Sequence, residues 1–306
     1  MKLSSLLLAC VALSSVSVVA VGCTAGDPDD EDVAEMGGVE KSETFAPIHK
    51  MPLTTANHEA LAAAVPANAH LTYYGGPVIQ KVNVIPVFWT STVANQTQLN
   101  AFYKGVTNSP HFDQLAEYNT ASPAQTFSRG TAQNGYVDAA STTKITEAKI
   151  QAELTRLFNN NLIPKPTANN FYAVHFPKNV GITASDGSKA CVQFCAFHST
   201  YVYNGQNVYY SVMPDVSSTG CAGGCGGSTA FNNETSVASH ELIEAVTDAA
   251  VGLATTYAPP LAWYDPNNGE IGDICNGLQG TVVGGDGVTY TVQKEWSNSR
   301  NGCFAQ

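Results

Sequence analysis

Apolar positions come first as one run and afterwards as short periodic patches set between turn residues. Lys2 precedes an apolar stretch over 3–21 broken only by small serines, the layout of a signal peptide over 1–22. Further on, 78–89 is β-branched, partly alternating and preceded by Gly75-Gly76-Pro77, which predicts a core strand with Pro86 near its end. Helical spacing follows over about 96–118, with a break at Ser109-Pro110. It returns over about 143–161, where Ile150, Leu154, Leu157 and Phe158 share a face. Strands are expected at 171–176 and 202–213. A Gly- and Cys-rich loop over 217–228 then leads to a helix over 234–248, with Val237, Ala238, Leu242, Ala245 and Val246 in register and Asn232-Asn233 as its cap. This order predicts an α+β fold: one domain over 70–306 with a mixed β-sheet.

The leading run ends in Ala20-Val21-Gly22-Cys23, which resembles a lipobox and marks Cys23 for lipidation. Residues 23–69 read as an acidic tether and linker, since 27–43 holds eight acids against Lys41 alone. The expected protein is exported to the cell envelope, as an outer-membrane lipoprotein or released outside, and touches the membrane only through its N-terminal lipid. Of the chain's net charge of −11, residues 44–306 carry only −5, and this mild acidity excludes a nucleic-acid partner. Six cysteines remain beyond Cys10 and Cys23. In an oxidising compartment their spacing suggests three disulfides, Cys191 with Cys195, Cys221 with Cys225, and Cys275 with Cys303; zinc binding by two CxxxC pairs is the alternative.

The helix over 234–248 contains His240-Glu241-Leu242-Ile243-Glu244. Residues four apart share a helix face, so His240 and Glu244 can converge on one ion while Glu241 acts as general base, as in zinc peptidases with HExxH. The carboxylate at 244 in place of a second imidazole admits other divalent cations beside Zn2+. A third ligand is expected from the loop before Cys275, Asp273 first and Glu270 second. Asp265, in Asp265-Pro266-Asn267-Asn268-Gly269, suits a turn. Asp248 suits the helix C-terminus, because three ligands in a row on one helix would span about 12 Å. His198, near Cys195, is a candidate for oxyanion stabilisation or metal binding, set against a plain core histidine.

Several motifs together resemble the EXORDIUM, or phosphate-induced, protein family: Tyr74-Gly75-Gly76-Pro77, Ser109-Pro110-His111-Phe112, Cys191 and Cys195 with Phe197-His198, Cys221 and Cys225, the stretches 239–248 and 263–275, and Trp296 with Cys303. The resemblance covers most of 70–306 and implies an extracellular or wall-associated protein without an assigned reaction. The order of elements, a strand at 208–212 leading through a loop into an HExx helix, is similar to the zincin arrangement, in which such a strand lines the cleft and binds peptide. The expected function is a metal-dependent hydrolase, most simply a zinc metallopeptidase acting on an extracellular protein or cell-wall substrate. The alternatives are a non-catalytic envelope protein binding glycan or a partner, and a carboxylate-based glycoside hydrolase.

Overall fold

The period-two patches become one mixed sheet in the computed structural model, which describes residues 49–54, 60–61 and 65–306. The expected signal peptide, the expected anchor at Cys23 and the acidic run lie outside the described residues. Seven strands form the sheet: β1 (Lys50–Pro52), β2 (Asn83–Phe88), β3 (Thr131–Ala132), β4 (Tyr136–Val137), β5 (Asn170–His175), β6 (Phe194–Tyr203) and β7 (Gln206–Met213). They run in the order β1-β6-β7-β5-β2-β3, with β4 also on β2. β6 is antiparallel to β1 and β7, and the remaining pairs are parallel.

Alternation along the strands feeds two cores. Phe171 and Ala173 of β5 face the helices α1 (Gln96–Thr107) and α3 (Ala230–Thr247), whereas Tyr172 and Val174 face α2 (Glu147–Asn159) through Ile150, Leu154, Leu157 and Phe158. Pro86 stands two residues before the end of β2, and it is tolerated because of where its missing N–H would point. Val84 O and Phe88 O bond outward to Gln133 N and Asp138 N, so position 86 faces the gap between the two short outer strands.

Three expectations need correction. The single strand over 202–213 is two strands, β6 and β7, joined at Asn204 (φ 49°) and Gly205 (φ 77°), the two left-handed positions a type I′ hairpin needs. Part of the segment read as linker is a strand: β1 pairs Lys50 with Phe197 and Met51 with Ala196, so the folded unit begins before residue 70. The third concerns the cysteines. Cys191 bonds Cys221 and Cys195 bonds Cys225, with Cα separations of 4.4 and 5.6 Å, in place of the two local pairs; Cys275 bonds Cys303 as expected. Cys221 and Cys225 stand one helical turn apart, Cys225 N donating to Cys221 O. Side chains so spaced keep their Cβ atoms about 5–6 Å apart, too wide for a disulfide, and each finds a partner across the loop instead.

Both crosslinks pin the 217–228 loop to the chain at and just before the start of β6 and close overlapping chain intervals, each with a separation of 30 residues. Replacing all four cysteines by alanine is expected to lower the urea-unfolding free energy by about 3–4 kcal/mol from loop entropy. Non-reducing peptide mapping is expected to join the 191–195 and 221–225 peptides, which local pairing would leave separate.

Candidate metal centre

Every residue of α3 from Asn233 to Thr247 is buried, because β6 and β7 cover one side and other segments cover the rest. Its N-cap is Thr229, whose hydroxyl accepts from Asn232 N, rather than Asn232 or Asn233. The hairpin of β8 (Gln279–Val283) and β9 (Thr289–Gln293) lies along the helix, with Thr235 Oγ1 donating to Thr291 O and Gln293 N donating to Ser239 Oγ. The 265–275 loop closes the remaining side, fixed by the Cys275–Cys303 bond.

The helix sends His240, Glu241 and Glu244 into this enclosed space, and β6 sends His198 from the opposite wall. His240 Nε2 lies 3.1 Å from Glu244 Oε2 and 3.9 Å from Asp273 Oδ1. Asp273 N donates to Glu244 Oε1 at 3.0 Å, so the loop docks onto the helix carboxylate directly. His198 Nδ1 lies 3.2 Å from Glu241 Oε2 and 3.5 Å from Glu244 Oε2, while its Nε2 lies 3.4 Å from Glu270 Oε1. Two ligand sets result, His240/Glu244/Asp273 and His198/Glu241/Glu244, each with donor atoms within 4.8 Å of one another. Asp273 thus joins His240, and Glu270 joins His198 instead.

The other acids divide as their positions suggest. Asp248 is the C-cap, accepting from Ala262 N at 2.8 Å. Asp265 is a turn residue whose Oδ1 accepts from Asn267 N and Asn268 N, and whose Oδ2 accepts from His70 N.

Two residues that sequence reasoning did not single out complete the centre. Gln293 Nε2 lies 2.6 Å from His240 Nδ1 and donates to Gly272 O at 2.8 Å, holding the ring in place from behind. Gly272 is needed for close approach: a Cβ there would stand 2.6 Å from His240 Nδ1 and 2.8 Å from Glu244 Oε1.

Buried carboxylates without counter-charge are costly, so they are kept neutral, paired or bound to a cation. Here His198 Nε2, His240 Nε2, Glu241 Oε1, Glu244 Oε2, Asp273 Oδ1 and both Glu270 oxygens lack hydrogen-bond partners. Burial, then the neighbouring acids, raises Glu244, Glu270 and Asp273 well above the usual carboxylate range. Burial lifts Glu241 to about 8 against the pull of His240, and burial lowers His198 to about 4 despite Glu244. This buried His/Glu cluster can coordinate a divalent cation, and the unpartnered atoms are the ones such an ion would engage.

Glu295 extends the acidic region. It is fully buried, neither oxygen has a hydrogen-bond partner, and the nearest cation-forming group is His111 Nε2 at 3.9 Å. Burial, then Glu244, Asp273 and Glu241, raises its carboxyl well above normal. A raised folded-state value means the stability contribution is complete below the unfolded value and is lost as pH rises toward the folded one. Glu295→Gln is therefore expected to raise the thermal midpoint at pH 8 and to change it little at pH 4.5. Paired melting curves at the two pH values check this.

No helix among the described residues is long and apolar enough to cross a membrane. Compared with known proteins, the chain matches no protein-family model, no curated protein and no solved structure.

Proposed function

We propose that the chain is a divalent-metal-dependent hydrolase, a zincin-like peptidase exported and anchored through Cys23, acting on extracellular protein or cell-wall peptide. One observation carries the reading: the buried, unpartnered His240 Nε2, Glu244 Oε2 and Asp273 Oδ1 converge beside a second glutamate, Glu241. A mixed nitrogen and oxygen set of three protein ligands, leaving a position for water, suits Zn2+. A bound ion supplies Lewis-acid polarisation of a carbonyl and of water.

The chain's own residues do the rest. Glu241, with Oε1 unpartnered and its carboxyl raised to about 8 by burial, can take a proton from water and return it to a leaving amine near neutral pH. His198 steadies the Glu241 carboxylate through Nδ1. Gln293 orients His240: in the arrangement described its amide donates to Nδ1, which leaves the ring proton on Nε2. Holding a cation through Nε2 would take the other tautomer, with the ring's one proton on Nδ1 instead of Nε2 and the Gln293 amide turned so that Oε1 accepts from Nδ1–H.

Glu241→Gln is expected to cut hydrolysis of an unfolded protein such as casein by about 10²–10⁴-fold while leaving bound metal unchanged. Elemental analysis and a proteolysis assay, each with and without chelator, read both quantities. Activity that survives chelation, or a wild-type protein that holds no metal and cleaves nothing, rejects the proposal.

A further inference from the structure

A substrate must reach residues that are closed to solvent: His198, His240, Glu241, Glu244 and Glu270 are all fully buried. Part of the cover is the chain's own segment 49–54. β1 adds to β6 as an antiparallel edge strand, pairing Lys50 with Phe197, Met51 with Ala196 and Pro52 with Phe194. Its Met51 side chain is 1 % exposed and joins the same core as Leu242 of α3. The Met51 backbone amide reaches the Glu241 carboxylate, and His49 Nδ1 lies 2.8 Å from His198 O. Peripheral contacts then tie the segment down: Lys50 Nζ to Asp186 at 3.1 Å, Asn276 Nδ2 donating to Pro52 O at 3.2 Å, and Thr54 N donating to Gly224 O at 2.8 Å.

The strand at 208–212, expected to line a cleft, cannot take an added peptide, because β7 is paired on both sides by β6 and β5. Without β1, the free edge belongs to β6, the strand that carries His198. We infer that the β6 edge at 194–197 is a binding site for an extended polypeptide, and that residues 49–54 fill it as an internal ligand, keeping the site latent. The inference deepens the hydrolase reading, on which the word substrate rests. It specifies a main chain antiparallel to β6, an apolar side chain of methionine size opposite Ala196, and a backbone amide delivered to Glu241. Main-chain pairing supplies the affinity, and the Met51 pocket supplies selectivity.

An intramolecular strand competes at an effective concentration of about millimolar, so an external peptide binds weakly until the strand is displaced. The test uses the full chain and a fluorescent peptide, His-Lys-Met-Pro-Leu-Thr, followed by anisotropy in the presence of chelator. Binding is thereby read independently of metal and turnover, and its failure is distinct from failure of the hydrolase reading. Met51→Asp, which places a charge beside Glu241 and releases β1, is expected to bind the peptide at least tenfold more tightly than the wild type. Met51→Ser serves if the aspartate variant does not fold. Hydrogen exchange confirms release of 50–52 and shows the added peptide restoring protection to 194–197. Equal binding by wild type and variant, or no binding by a folded variant whose Lys50 and Met51 amides exchange freely, overturns the inference.

Discussion

Saturating Zn2+ is expected to raise the thermal midpoint of the metal-free protein by about 10 °C, and by more at pH 8 than at pH 6.5. A ligand at a thousand times its dissociation constant stabilises the folded state by about 4 kcal/mol, and each kcal/mol moves the midpoint of a domain this size by roughly 2–4 °C. The pH dependence follows from the buried acids. Glu244, Glu270 and Asp273 have raised values, and Glu241 is lifted to about 8, all chiefly by burial. The folded metal-free state thus holds protons that the unfolded chain has already lost. Its stability is complete below the unfolded carboxylate value and falls as pH rises toward 8. The histidines lowered by burial to about 4, His49, His111 and His198, act the opposite way, but their contribution is lost only as pH falls below the unfolded value of 6.5. Between pH 6.5 and 8 the acids alone set the slope. A divalent ion replaces their protons, so its stabilisation grows with pH. Calorimetry with and without metal at the two pH values checks both the size and the sign; a shift that is absent, or larger at pH 6.5, contradicts the metal centre.

Much of this centre could be read from residue spacing, and what escaped did so for identifiable reasons. His240 and Glu244 share a helix face by arithmetic alone, and the Cys275 crosslink made the following loop the natural source of a third ligand; the structure brings in Asp273. Helix α2 was visible because Ile150, Leu154, Leu157 and Phe158 repeat at helical period. The Asn204-Gly205 turn carried a hairpin signal that a long Tyr- and Val-rich run masked. β1 left no pattern: a strand of three residues cannot show alternation, and it sits in a stretch whose neighbourhood is rich in acids and alanine. The crosslinks between 191–195 and 221–225 depend on which segments meet in space, which local spacing does not encode. Gln293 looks like any polar residue at a strand end until β9 is laid against α3.

Gly272 is a residue whose importance is purely three-dimensional, and Gly272→Ala is expected to cost function by crowding His240 and Glu244 directly. Its φ of −82° suits alanine, so backbone conformation does not require glycine there. The requirement is space. A methyl carbon would stand 2.6 Å from His240 Nδ1, 2.8 Å from Glu244 Oε1 and 3.0 Å from His240 Cε1, closer than real contacts allow. None of these atoms lies at the end of a flexible surface chain. His240 is held by Gln293, and Glu244 Oε1 accepts from Asp273 N, so relief comes only by pushing the 270–275 loop away from the helix. That movement withdraws Asp273 from His240 and breaks the Gln293 bond to Gly272 O at the same time. Disturbing the groups that orient metal ligands costs about 10–100-fold in affinity, and direct displacement of a ligand adds to it. We therefore expect Gly272→Ala to weaken Zn2+ binding at least ~100-fold. Overpacking should destabilise the metal-free protein by only about 1–3 kcal/mol, because the Cys275–Cys303 bond keeps the loop attached. Titration with a zinc indicator beside a urea melt separates the two effects. A variant that binds zinc like the wild type would show that Gly272 and the ligands it touches do not form the metal centre.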